Sequence, residues 1–417
     1  TLQIIVVDAL GGPVAGAEVH IENPSTVPAV DLTTFTNAEG LVYLPGALPS
    51  TDYRIETTKS GYSTATTYAR DATNQNPTPG YLTVVENQTT TGTFAIDLLA
   101  DLTLRTFSPP QTLSFADTFA DLSQIAEAVN VGVSAGALAL VDSGMGYPGS
   151  GHAVSVAVTP TALHEWGELN ATLNPSASTE ALIQVVDASG AVLPNAVLPG
   201  NEAGFDTFPV SLAGIATSTY PTLKLRANLT STASAETPEL RDWSLSYRRG
   251  ATPLPNIAFT LRGAKTVGST GAGAALYKTT VADSTNGSGV KALSLEWDAY
   301  ELTLNGYDVV EACPSPGYAL APGSATDSSL YLGANTTNML LVTVKDNTGA
   351  VVPGADVTLS RTGFSQTVET TSCGTAYFGN LTSSSAYTVS IAKAGYTTAN
   401  FANVNVAGHI FYVATFE

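Results

Sequence analysis

The chain states one pattern twice, once near each end, and that repetition limits what it can fold into more than any other feature. Near the start it reads VVDALGGPVAGAEVHIEN, then TNAEGLVYL, then YRIETTKSGYST; near the end it reads TVKDNTGAVVPGADVTLS, then TTSCGTAYF, then YTVSIAKAGYTT. Gly16 and Ala17 recur as Gly354 and Ala355, an offset of 338, while Gly40, Tyr53, Gly61 and Tyr62 recur as Gly374, Tyr387, Gly395 and Tyr396, an offset of 334. One loop absorbs the difference. A supersecondary unit repeated in this way makes the architecture modular.

Each shared position has a physical task. In the first copy Ile4, Val6 and Asp8 alternate with Ile5 and Val7, and the strand stops at Gly11-Gly12-Pro13, residues that supply positive φ or fix it near −65°. Ala17, Val19 and Ile21 then alternate with Glu18, His20 and Glu22, the period of a strand with one wet face. Thr36 to Gly40 predicts a tight turn that feeds Leu41, Tyr43 and the strand Tyr53-Arg54-Ile55-Glu56. Gly61-Tyr62 closes the copy. The glycine permits the turn, and the tyrosine ring can cover one end of a small sandwich with its hydroxyl in water.

The run Gly11 to Val19, Thr36 to Gly40 and Tyr53 to Tyr62, with counterparts Gly349 to Val357, Thr370 to Gly374 and Tyr387 to Tyr396, resembles the carboxypeptidase regulatory-like domain. That family is a transthyretin-like β-sandwich related to the B-type repeats of bacterial surface adhesins. The resemblance implies fold more than function, since such modules serve mostly as spacers, stalks and surface subunits. A fainter third copy is expected at 251–335: Pro253 to Leu261 stands for VPGADVTL, Thr285 to Gly289 for the turn, and Tyr300 with Gly306-Tyr307 for the closing element. Its first strand is least clear, Trp243 to Arg248 being the nearest candidate unless that strand finishes the preceding domain.

Residues 99–250 are different in kind. Short strands with regular turns, among them Gly132 to Leu140, His152 to Val158, Ala181 to Asp187 and Thr222 to Leu229, give a β-sandwich signature. SFADTFADLSQI, LHEWGELNATL and YPTLKLRANL resemble the jelly-roll modules of carbohydrate-binding and surface proteins. Asp121 to Ala128 is the only candidate helix. The expected fold is therefore all-β, tandem β-sandwich domains with transthyretin-like sandwiches flanking a jelly-roll-like one: 1–98 and 336–417 regulatory-like, 99–250 jelly-roll-like, 251–335 a degenerate regulatory-like copy.

Composition fits an extracellular all-β chain. Only 12% of residues are charged, against about a quarter in an ordinary soluble domain, and Thr suits pleated strands. A net charge of −19 repels nucleic acid and anionic membrane surfaces. At 417 residues the chain exceeds one hydrophobic core. No stretch approaches the 18 or so consecutive apolar residues of a membrane-spanning helix, and residues 1–10 lack a signal peptide's basic region and cleavage site. Thr1 is expected to be a processed or truncated start; a pilin would carry its apolar assembly helix ahead of it.

Cys313 and Cys373 are the only cysteines. In a secreted chain an even count favours a bridge, which closes a loop of about 60 residues and contributes about 4 kcal/mol on the loop-entropy model; the alternative is two unpaired buried thiols. Six sequons, at Asn87, Asn170, Asn228, Asn286, Asn335 and Asn380, are candidate glycosylation sites. Adhesin B-type repeats often hold a Lys–Asn amide promoted by a buried Glu. Here the requirement is split, with Lys345 opposite Ser390 in the last copy and Glu56 but Val7 in the first, so no such crosslink is expected.

Catalytic constellations are not evident. The four histidines, His20, His152, His164 and His409, are scattered, and no Gly-x-Ser-x-Gly elbow or phosphate loop occurs. No catalytic residue, cofactor or metal site is expected. Asp117, Asp121 and Asp206 are the carboxylates a calcium ion would use, the alternative being exposed loop acids. Trp166, Trp243 and Tyr220 would make a sugar platform if exposed and coplanar, but Trp166, which follows Leu163, and Trp243, in an alternating Leu240, Trp243, Leu245, Tyr247 strand, are expected in the sandwich core. The expected function is a structural subunit of an extracellular filament, pilus or surface layer, self-associating into a homopolymer. Leu2 to Val7 would be the strand that completes a neighbour's sheet, and the module arrangement also resembles pilin-related surface proteins of bacteria. The alternative is an adhesin binding surface glycans through the jelly roll, with the repeats as its stalk.

Overall fold

Two hydrogen bonds made by a buried threonine and one made by a buried tyrosine define the repeated unit. The computed structural model describes residues 1–415. In the first module the Thr36 hydroxyl donates to Val14 O at 2.6 Å and accepts from Ala17 N at 2.9 Å. In the last module Thr370 does the same between Val352 O and Ala355 N, both at 2.8 Å. The hydroxyl thus ties the start of the second strand to the turn after it, satisfying main-chain groups where the chain changes sheet. Tyr53 and Tyr387, both fully buried, each donate back five residues, to Leu48 O at 2.9 Å and Thr382 O at 3.0 Å. Each ring fills the sandwich, worth about 2 kcal/mol as buried apolar surface.

The strand order is the same in both. Leu2–Val7 lies antiparallel to Leu41–Leu44 and parallel to Thr90–Ala95; Met339–Lys345 lies antiparallel to Thr375–Phe378 and parallel to His409–Thr415. The facing sheets are built on Glu18–Asn23 paired with Val30–Phe35 and Ser50–Thr58, and on Asp356–Arg361 paired with Phe364–Glu369 and Ser384–Ala392. Each module closes around its own apolar core. Gly374 shows why the turn keeps its glycine. Its φ is +68°, its carbonyl accepts from Val344 N at 2.8 Å, and a Cβ there would meet Val351 Cβ at 2.8 Å.

Residues 253–334 hold a third copy that is completed by Ala100–Ser108 as its first strand. That strand lies antiparallel to Val290–Leu295 and parallel to Ala325–Ala334. The diagnostic bonds recur: Leu254 N donates to Thr106 O at 2.8 Å, Thr106 N to Gly289 O at 2.8 Å, Ile257 N to the Thr285 hydroxyl at 3.0 Å, and Tyr300 OH to Glu296 O at 2.9 Å. Residues 99–108 therefore belong with the third sandwich and not with the jelly-roll-like segment. Trp243–Arg248 lies inside Glu239–Arg249, which pairs with Gln111–Asp117 and Leu163–Asn174, so it is not the third copy's first strand.

The chain divides into two compact units, Thr1–Ser108 with everything from Pro253 onward, and Pro109–Thr252. The second unit is inserted into the first β-turn of the third copy, where the other copies have only Asp8–Gly12 and Asp346–Ala350. It consists of two antiparallel sheets, one around Glu239–Arg249 and one of Ile125–Val129, Ser150–Ser155, Leu223–Ser231 and Thr179–Asp187. Trp166, Trp243, Phe119, Ile183 and Leu225 are buried in its core. The expected helix at 121–128 is absent: after a bend, Ile125–Val129 pairs antiparallel with Ser150–Ser155 through a register shift. Pairing to a sheet edge outweighs local helix propensity there.

Leu2–Val7 is not a free donor strand. It is the central strand of its sheet, bonded on both sides, and Leu2, Ile4 and Val6 are fully buried. Offering it to a neighbour would open the first module's own core, which corrects the expected donor role.

Candidate functional site at the module joints

The polar chemistry of the first unit gathers where its sandwiches meet, and there are two such joints. At the first, the loop after Tyr68 reaches the third module and pairs with it by main chain. Gln75 N and Asn76 N donate to Ser269 O at 3.1 and 3.2 Å, and Thr78 N donates to Val267 O at 3.0 Å. The Asn74 amide adds a bond to Val267 O at 2.9 Å. Main-chain pairing of this kind needs no particular side chain and resists sliding.

Behind that ladder lies an ion cluster. Glu296, with a side chain only 9% exposed, receives the Lys265 ammonium on one oxygen at 2.8 Å and the Lys278 ammonium on the other at 2.6 Å. Lys265 sits over the Trp297 ring, 2.9 Å from its centroid, and Lys278 also donates to Thr64 O of the first module at 2.7 Å. Burial pushes the Lys265 pKa below its ordinary value, against the pull of the Glu296 bond. The cluster closes one side of a hollow of about 280 Å³ whose other side includes Tyr68 and Phe94. Burial likewise raises the Tyr68 phenol.

The second joint is covalent and carboxylate-centred. Cys313, at the end of the strand Tyr307–Cys313, and Cys373, in the fourth module's Thr371–Gly374 turn, are brought together as a disulfide with Cα atoms 5.3 Å apart. At the other end of the strand Tyr307–Cys313, Asp308 is fully buried. Its two oxygens accept from Thr336 N at 3.0 Å, the Thr336 hydroxyl at 2.6 Å and Tyr377 OH at 2.6 Å, with His409 Nε2 at 3.2 Å. A buried carboxylate is tolerable only with such a full set of donors. Burial, then the bond to Asp308, raises the Tyr377 phenol well above its ordinary value. Asn338 extends the network, donating to Leu381 O at 3.0 Å and accepting from Gly408 N at 2.7 Å.

The remaining sequence candidates do not converge. Asn87, Asn286, Asn335 and Asn380 are exposed, whereas Asn170 and Asn228 are half-buried on strands, and the Asn228 amide donates to Gln184 at 2.9 Å. Asp117, Asp121 and Asp206 bond separately, to Phe119 N, Ser123 N and the Thr207 hydroxyl. No cluster of three or more His, Cys, Asp or Glu able to hold a metal forms among the described residues. Trp166 and Trp243 are fully buried, with Trp166 Nε1 donating to Tyr220 O at 2.8 Å, so these three aromatics form no sugar platform. Lys345 and Ser390 stand on different sheets, as do Val7 and Glu56. Asp308 and Glu296 were not anticipated; the available signal was an acid inside the apolar strand YDVVEAC and one directly after the apolar strand that ends LSL.

Fold and joints together define a tandem array of all-β sandwiches, three of one kind and one inserted. Residues 339–415 match the carboxypeptidase regulatory-like domain, a non-catalytic kind of fold. No curated protein matches the chain. Among solved structures, the TIE protein of Bacillus anthracis is 13% identical with a TM-score of 0.19, over all of this chain and 50% of that one. The chain thus spans half of that protein's length. BcpA, the major pilin subunit of Bacillus cereus, is 10% identical with a TM-score of 0.18, over all of this chain and 98% of its own. The full-length major pilin SpaD of Corynebacterium diphtheriae is 11% identical with a TM-score of 0.15, over 99% and 95%. TM-scores this low assign no residue a role. No helix among the described residues is long and apolar enough to cross a membrane.

Proposed function

We propose that the chain is a structural subunit of an extracellular filament, pilus or surface layer, built by homotypic association of β-sandwich modules. The observation that carries this reading is the pair of joints. Independent domains on flexible linkers need no buried contacts between them, yet here one joint is zipped by main chain and backed by an ion cluster, while the other is bridged by sulfur and centred on a buried carboxylate. That investment is suited to transmitting force and holding shape. A sparsely charged surface with a net charge of −19 suits a chain in contact with solvent over most of its length.

The inserted unit fits the same reading. Its two connections leave the third module after Ser108 and return at Pro253, beside the bond between Leu254 N and Thr106 O. Tension running through the three regulatory-like modules therefore does not have to pass through residues 109–252. Pulling single molecules by their ends should release the length of that unit only after the third module has opened; earlier release would contradict the bypass. Negative-stain microscopy of native material tests the subunit role itself, with filaments or arrays expected. Monomers alone at every concentration would remove it.

A further inference from the structure

Open sheet edges invite pairing with other chains, and proteins block them with charges, proline or bulges. Three edge strands of the first unit run seven residues or longer: Tyr307–Cys313, Ala399–Val406 and His409–Thr415. The first carries Asp308 and Glu311 and a register shift. The second shifts register twice and holds Asn403 at φ +60°. His409–Thr415 has none of these devices. It pairs with Met339–Lys345 in unbroken register, and the sequence has no Asp, Glu, Lys or Arg between Lys393 and Glu417.

The space beside that strand is open as well. Val413 is 52% exposed, and two hollows of about 580 and 430 Å³ flank His409 and Phe411. Their far wall is Glu301–Leu304, whose outer edge is unpaired because Tyr318–Leu320 reaches only Asp298–Tyr300. The twin strand Thr90–Ala95 of the first module occupies the same place beside its lead strand, and its flank faces Lys265 and Trp297 of the third module. The flank that serves as a joint in one twin is contacted in the other only at His409, which meets Asp308, and at Phe411, which packs on the third module's core, and the two hollows lie open beside them.

We infer that the outer edge of His409–Thr415 is where one copy of this chain pairs with an edge strand of a second copy, a conclusion that rests on the subunit reading above. The subunit reading supplies the occupant and charge selects the surface: two chains of net charge −19 repel wherever their charges face, and an uncharged edge bonding through main chain is where they approach at least cost. Val413→Lys with Thr415→Lys places two ammonium groups on the edge, while Leu10→Lys with Val27→Lys, at positions 97% and 92% exposed in the first module, alters net charge equally. Both pairs make the chain less negative, so general repulsion cannot explain a loss of assembly. In sedimentation and negative-stain assays of the full chain, with folding checked by circular dichroism, the edge pair should form at least tenfold less polymer than wild type and the control pair as much. Val413→Lys alone serves if the double variant melts early. Edge variants that polymerise like wild type would overturn the edge and spare the subunit reading; a wild-type chain that never polymerises overturns both.

Discussion

The first and fourth modules share their strand order, threonine tie and back-bonded tyrosine, yet they join the third module by unrelated means. The difference begins after the closing glycine and tyrosine. From Tyr62 the first module takes a long loop, with only short strands, to its last strand at Thr90–Ala95, and that loop zips onto Val267–Ser269. From Tyr396 the fourth module runs almost at once into Ala399–Val406 and then His409–Thr415. With no loop to lend, its joint is made by side chains at the opposite end of the sandwich, Cys373 and Tyr377. The core bonds fix the sandwich, and what lies outside them is free to specialise.

Breaking the covalent joint should separate the twins most. Cys373→Ser, or full reduction, removes a crosslink spanning 60 residues, a loss of about 4 kcal/mol on the loop-entropy model. Guanidinium unfolding should then show an earlier transition for the last module, with the first module's transition unmoved. A uniform shift of the whole curve would mean that the joints are not separable.

Next in size is the carboxylate. Asp308→Ala strands the Thr336 amide and hydroxyl and the Tyr377 hydroxyl in a buried place, at a cost of about 3 kcal/mol. Asp308→Asn, which keeps one of the two acceptor oxygens, should lose less. The same measurement separates joint from disulfide: with Cys373→Ser in place, the Asp308→Ala cost should persist, since the network does not pass through sulfur.

Much of this comparison is legible in the chain itself. GPVAGAEV and VPGADV announce the threonine-tied turn, and the spacing from Tyr53 to Tyr62 and Tyr387 to Tyr396 announces the closing strand, because local turn chemistry and period-two burial dictate both. The third copy's first strand was illegible for a topological reason: Ala100–Ser108 pairs with residues beyond an inserted domain, and nothing local in ADLTLRTFS distinguishes it from a strand of that domain. Ile125–Val129 misled because AEAV is helix-prone and only its partner strand makes it extended. The joints were illegible except at Cys313 and Cys373, since Glu296 and Asp308 acquire meaning only from donors on other strands and modules. One signal was there to read: VVDASGAVLP in the inserted unit repeats the lead turn of VKDNTGAVVP, and Asp187 caps its turn as Asp346 does.

The phenol at the second joint gives a smaller, pH-dependent contrast. Tyr377→Phe removes one hydrogen bond to a carboxylate, about 1.5 kcal/mol. Because the folded pKa of Tyr377 lies above its unfolded value of about 10, the stabilisation it brings is complete below pH 10 and fades as the pH rises toward the folded value. The stability difference between wild type and Tyr377→Phe should therefore shrink on going alkaline. A difference that stays constant from pH 8 to 11 would show that the hydroxyl contributes nothing through its proton.

The smallest effect distinguishes the twin turns. Asp8 and Asp346 both accept from amides two and four residues on, Leu10 and Gly12 in one case and Thr348 and Ala350 in the other. Only Asp346 has a hydroxyl as well, Thr348 Oγ1 at 2.6 Å, and that bond foremost draws its pKa below the ordinary carboxylate value. A depressed folded pKa contributes stability that is present above the unfolded value of about 3.9 and lost as the pH falls through the folded one. Thr348→Ala should raise the Asp346 pKa in an NMR titration toward the ordinary range, and acid should then destabilise the variant less steeply than wild type. Since the bonds that lower the Asp346 pKa all come from its own turn, residues 348 to 350, the change belongs to the turn and not to the module. If Thr348→Ala leaves the titration of Asp346 where it was, the two amides rather than the hydroxyl hold the charge, and the fourth module's turn is no different in kind from the first.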